Sequence, residues 1–416
     1  MTARRLAFLA LLLALPAAAQ PPAYTEHQLQ ARANFSGAFN LPDGAFFANV
    51  TPKVNDAGVV AFDLDVVPGV EADALWVGGD GHGEIVYTSP EDSLLSGVDV
   101  NAAGVVVFEQ IFSAQDGLWL FDPTVGSAVF ETSQPLGASF WTASEIDPMG
   151  RIGYRAAFGP DHAWVSYDGT ATPAVHAVEA ALDPGSPFSF LFTPSFDGQR
   201  RIAGKARHGP AGQVGEERPD RIVRVESDGA VTILAEDADA DVLSPYSSFD
   251  NGVGVTSDGR VAFVATLVAG GRGVFLTDGI DTTTIATEAG PEISEIEFFA
   301  PAVNDAGLVV FRAFDGTGLR AVFAGSGRGL VSVIREHDLV ETDLGTARID
   351  QHDASPVFGG GPWINAHGHV AFAAALTPPD NNQIEWGSGI FVARSGGIFE
   401  DGFETGDTSV WDATVD

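Results

Sequence analysis

Short apolar runs punctuated by polar turns recur along this chain. In Val303-Asn304-Asp305-Ala306-Gly307-Leu308-Val309-Val310-Phe311, Val309 and Phe311 fall on one side of a strand and Leu308 and Val310 on the other. Both sides are apolar, so the strand is expected to be covered on both faces. The four residues ahead of it suit a type I turn. Asn304 can bond its own backbone, and Gly307 accepts the positive φ that follows.

The element recurs six more times. Asn55-Asp56-Ala57-Gly58 leads to Phe62, Asn101-Ala102-Ala103-Gly104 to Phe108, and Asp147-Pro148-Met149-Gly150 to Tyr154. Ser195-Phe196-Asp197-Gly198 leads to Ile202 as a degenerate copy, Thr256-Ser257-Asp258-Gly259 to Phe263, and Asn365-Ala366-His367-Gly368 to Phe372. The glycines are spaced by 46, 46, 48, 61, 48 and 61 residues. A period of this size, seen several times, signals a propeller or solenoid. After each turn strand come a second run, such as Leu75-Trp76-Val77 or Val274-Phe275-Leu276, a Gly-containing hairpin turn, and a third run, such as Ile85-Val86-Tyr87. Counting the strand that enters the turn, each repeat has four strands, which is a propeller blade. The expected fold is all-β: a seven-bladed β-propeller of four-stranded antiparallel blades. With 49 Gly and 24 Pro, few windows could hold a helix; Ala174 to Leu182 is the best of them, and it reads equally as a strand plus a loop.

The last repeat lacks a fourth strand of its own. The segment Glu26 to Arg32 is expected to supply it and close the ring, which removes exposed sheet edges. The competing candidate for that role is Ile398-Phe399.

Residues 1–19 read as a signal peptide: basic Arg4 and Arg5, the apolar run Leu6 to Leu15, and Ala17-Ala18-Ala19 as a cleavage site. The propeller is then expected over 20–396, followed by an acidic tail at 397–416. A secreted, periplasmic or cell-surface location follows, with no membrane span. The chain has no Cys, so stability must come from packing. The formal net charge is −35, and −37 once Arg4 and Arg5 are removed, which makes nucleic acid and anionic membranes poor partners.

The segment from Thr193-Pro194-Ser195-Phe196-Asp197-Gly198, through Arg221 to Gly229, to Val231-Thr232-Ile233-Leu234 resembles a TolB-type propeller repeat. The Asn-Asp-Ala-Gly copies resemble exported bacterial proteins with tandem Asn-x-x-Gly-x-x-x-Phe repeats. The resemblance spans roughly Phe46 to Arg394 and implies the fold, not an activity. The tail from Phe399 to Trp411 resembles a short C-terminal tail of exported Gram-negative proteins, where it could serve as a sorting signal.

In propellers the blade-joining loops and the loops between second and third strands share one face, where ligands usually sit. The longest such loops supply the candidate ligand-binding residues: Arg207, His208, Glu217 and Asp220 in repeat 4, His352 and Asp353 in the 336–357 connection, and Glu385 and Trp386 in repeat 7. Alternating carboxylates at Asp237, Asp239 and Asp241 are a candidate Ca²⁺ site, although they lack the Gly and closing Glu of a calcium loop. No other cofactor is indicated. His367 and His369 have no third ligand and read as turn residues. Aromatics ahead of the turns, among them Phe46-Phe47, Phe190, Phe192, Phe298-Phe299 and Trp363, could ring the channel mouth, but inter-blade packing is the simpler role. Gly-x-Ser-x-Gly, a Walker loop and His-Glu-x-x-His are all absent. The expectation is a monomeric, non-enzymatic propeller binding a protein or carbohydrate partner through its long-loop face. The alternatives are a carbohydrate lyase or hydrolase using carboxylates at the channel mouth, and a surface-structural protein.

Overall fold

The computed structural model describes residues 20–396, except 35, 48, 68–69, 114, 133–136, 170–171, 200, 214–218 and 353–356. Seven antiparallel sheets follow one another as the blades of a propeller, at residues 53–88, 94–132, 140–178, 188–236, 246–287, 293–335 and 358–395. No α-helix occurs among the described residues. Ala174–Val178 is the outer strand of blade 3, and turns follow it.

The N-terminal strand, Tyr24–Ala33, pairs with Gly387–Ser395 as the outermost strand of blade 7. Ile390 faces Ala31, Phe391 faces Leu29 and Val392 faces Gln28, as the sequence predicts. The rival Ile398-Phe399 lies outside the described residues. Blade 7 also carries an added hairpin, Leu339–Thr342 with Gly345–Ile349, joined to its second strand at Arg348–Thr377 and Ile349–Leu376.

Each turn follows its chemistry. Asn55 Oδ1 accepts the N–H groups of Ala57 and Val59 at 3.0 and 2.8 Å, and Gly58 has φ +80°. Seven residues beyond the first turn position, Phe62, Phe108, Tyr154, Phe263, Phe311 and Phe372 are all buried. Each contributes roughly 2–3 kcal/mol by leaving water.

Blade 4 corrects the expected register. Its turn begins at Asp197, not Ser195: Asp197 N–H donates to the Arg201 carbonyl, and Asp197 Oδ1 accepts from Gln199 and Arg201 N–H. The position seven residues on is then Gly204, not Ile202. A Cβ there would lie 2.7 Å from Trp164 of blade 3. The neighbouring indole fills the space taken by an aromatic ring in the other blades, and the degenerate spacing hid the exchange.

Candidate functional site

The turns hold the blades together by a closed ring of hydrogen bonds. Asn55 Nδ2 donates to the Asn101 carbonyl (2.7 Å), Asn101 Nδ2 to that of Asp147 (3.1 Å), Asn304 Nδ2 to that of Asn365 (3.1 Å) and Asn365 Nδ2 to that of Asn55 (2.9 Å). Blades 3, 4 and 5 begin their turns with Asp147, Asp197 and Thr256, which have no amide to donate. There an arginine four residues on makes the link: Arg151 to the Gly198 carbonyl, Arg201 to Ser257 (2.7 Å) and Arg260 to Asp305 (2.6 Å). Asp147 and Asp197 orient their arginines by accepting from Nε.

Two residues before each turn, one residue per blade lines the channel: Lys53, Asp99, Glu145, Ser195, Gly254, Ala302 and Trp363. The inner strands are interrupted just ahead of this position. Five ladders shift register there, and those of blades 1 and 6 split in two. Such irregularities re-aim side chains. Lys53 stands 3.2 Å from the Trp363 ring centroid, in cation–π contact. Glu145 accepts from Ser195 Oγ at 3.0 Å and Phe196 N–H at 2.6 Å. Asp99 is buried and accepts from Ile146 N–H at 2.9 Å.

Above this ring the lining is small: Thr51, Gly97, Ala143, Thr193, Gly252, Ala300 and Gly361. The result is a funnel of about 440 Å³, whose wall also holds Asp63 and Glu109 from the second strands of blades 1 and 2. Burial pushes the carboxyls of Asp63 and Glu145 up to about 7, with Lys53 opposing the shift at Glu145. Burial likewise raises Asp99 and Glu109 and lowers Lys53.

A second cavity of about 560 Å³ lies at the seam of blades 4 and 5 and shares Gly252, Phe299 and Ala300 with the funnel. Of the residues predicted from sequence, this seam gathers Arg207, Asp220, Asp237 and Asp239. Arg207 Nε and Nη2 donate to the two oxygens of Asp220 at 2.7 and 2.9 Å, and Lys205 Nζ lies 3.0 Å from the same carboxylate. Asp237 is buried: its Oδ2 accepts Asp220 N–H and its Oδ1 caps the turn at Asp239 and Ala240. Asp241 is exposed and caps Leu243 N–H.

The other predicted residues are dispersed. His208 sits edge-on to Phe188, and burial lowers its pKa to about 4. Glu385 lines a separate cavity with Phe46 and Phe47, between blades 7 and 1. Trp386 is half-buried, and its carbonyl accepts from Arg32 at 2.7 Å. His352 is exposed. Glu217 and Asp353 lie outside the described residues. Most mouth aromatics serve as platforms for cations: Phe192 for Lys205 and Arg207, Phe298 for Arg272, and Phe299 for Arg312. The long loops drew attention away from the inner ring. Counting back two residues from each turn would have found it.

Residues 161–409 match the model of a family described as a family of unknown function, DUF7453. The chain belongs to that family. No curated protein matches it. Among solved structures, this family member is similar to the β-propeller domain of the Trilobed protease from Pyrococcus furiosus, at 11% identity and TM-score 0.52, over 83% of this chain and 95% of that one. A puromycin-hydrolyzing peptidase from Mycobacterium tuberculosis matches at 11% and 0.51, over 84% of this chain and 53% of its own. TolB from Acinetobacter baumannii matches at 15% and 0.43, over 70% and 63%. The chain thus spans about half to two thirds of the last two. The first two likenesses support the propeller fold. The Pyrococcus domain is described as having an open Velcro topology, whereas here the N-terminal strand closes blade 7.

Proposed function

We propose that the protein is an exported, non-enzymatic propeller that holds a partner in the funnel and the adjoining blade 4–blade 5 seam. Carbohydrate is the class this lining favours, with a protein segment as the alternative. The observation that carries the reading is the adjacency of the two cavities, which share Gly252, Phe299 and Ala300 as lining. An elongated ligand could run from the charged ring out to Arg207 and Asp220. Along that path Thr51, Ser96, Thr142 and Thr193 line the funnel with Glu145, Glu109 and Asp63 beside them, and hydroxyls and carboxylates suit a polyhydroxylated chain.

Glycan-array and protein pull-down experiments with the full chain test this. Glu145→Gln and Thr193→Val are expected to weaken captured binding by about tenfold or more, the scale of one or two hydrogen bonds. Binding that survives both changes would place the ligand elsewhere. A second reading has its own support: Glu145 and Asp63 carry carboxyls raised to about 7 in one cleft, as catalytic acids do. Any glycan that binds should therefore be incubated with the protein. Chain shortening abolished by Glu145→Gln would favour the enzyme.

A further inference from the structure

The connection between blades 6 and 7 differs from the others in carrying the added hairpin. At its base three side chains converge, well apart in sequence from the funnel's lining. Glu336 and His337 follow the outer strand of blade 6, and Asp350 follows the hairpin. One ligand atom from each lies within 4.8 Å of the others. The two segments are tied by backbone bonds, His337 N–H to the Ile349 carbonyl (2.8 Å) and Ile349 N–H to that of Asp338 (2.9 Å). His337 has φ +76°, a left-handed value that non-glycine residues seldom adopt.

Asp350 supplies the independent observation. It is 4% exposed. Its Oδ1 accepts Gln351 N–H at 2.8 Å, but its Oδ2 accepts no hydrogen bond. That oxygen lies 3.8 Å from His337 Nε2. Arg348 Nε lies 3.3 Å from it without hydrogen-bonding geometry, and that Nε has no acceptor either. The Arg348 guanidinium thus offsets the charge of this buried oxygen without satisfying its hydrogen-bonding capacity, which leaves a lone pair open to a further ligand.

We propose that Glu336, His337 and Asp350 bind a divalent transition-metal ion, with Zn²⁺ the best match. An imidazole with two carboxylates suits zinc, whereas calcium and magnesium prefer oxygen alone. Bonds of about 2.0–2.2 Å set tetrahedral ligand atoms roughly 3.3 Å apart. Closing on an ion therefore requires side-chain movements of about half an ångström for the His337–Asp350 pair, and more for the widest pair. Arg348, at 28% side-chain exposure, turns outward to solvent as the cation arrives. Water completes the fourth position. The ion ties blade 6 to the hairpin, and Asp343 at the hairpin's tip holds Arg32 of the N-terminal strand at 2.8 Å. The site is thus a clasp on the blade that closes the ring.

The test is calorimetric titration of the chelator-stripped full chain with ZnCl₂, with CaCl₂ in parallel. One zinc per chain is expected, with a Kd of about 10 μM or tighter and a melting point raised by roughly 3 °C at hundredfold excess over Kd. His337→Ala and Asp350→Asn should each weaken binding at least tenfold. His352→Ala, an exposed histidine of the same connection, should leave it unchanged. If Asp350→Asn fails to fold, Glu336→Gln is read with His337→Ala instead. No uptake at about 100 μM zinc, uptake indifferent to His337→Ala, or an equal response to calcium would overturn the proposal.

Discussion

At the scale of single residues, the turn ring makes one demand: each blade must offer a donor to the next. Asn meets it with its own amide. Where Asp or Thr stands instead, Arg151, Arg201 or Arg260 supplies the donor from four residues on, while the Asn blades carry Val59, Val105, Leu308 and His369 there. This pairing of turn residue with arginine is written in the sequence, but its meaning is not, because the acceptor belongs to the following blade. Asn101→Asp should leave the buried Asp147 carbonyl without its donor and destabilise by about 2 kcal/mol, a melting-point fall of roughly 2–3 °C. Adding Val105→Arg should recover part of the loss, as a double-mutant cycle would read. Additive effects would show that the arginines do not replace the amide.

At the scale of elements, the N-terminal strand joins the two ends of the described chain. Its ten residues cover the edge of Gly387–Ser395. Arg32, fully buried, binds Asp343, Gly37 and Trp386 from within it. Deleting residues 24–33 should leave a long apolar edge open to pairing with other copies. Size-exclusion chromatography with light scattering should then show oligomers or aggregate. A monomer with an unchanged melting point would mean that ring closure does not depend on this strand.

At the scale of the whole molecule, the funnel gathers acids that the fold partly shields from water. Asp63 and Glu145, raised to about 7, keep protons in the folded chain that the unfolded chain releases near pH 4. Their contribution to stability is therefore full below about pH 4 and is lost as the pH rises to 7. Each is worth on the order of 3–4 kcal/mol at most. Melting points measured from pH 5 to 8 should fall across this window, and Glu145→Gln with Asp63→Asn should flatten the fall. A melting point rising through the same window in the parent chain would contradict the assignment.

The blade count, the strand order and the closing strand were legible in the sequence because each rests on local chemistry: Asn and Gly at a turn, and alternating apolar residues beyond it. Blade 4 shows the limit. Its turn motif is displaced by two residues, and only the packed structure reveals Trp164 filling the place of the missing ring. The candidate site lies further beyond that limit. Lys53, Asp99, Glu145 and Trp363 share one place relative to their turns but lie far apart along the chain, and no single repeat shows that they meet. Closure of the circle brings equivalent positions of every blade to one axis, so proximity there is a property of the ring and not of any single repeat.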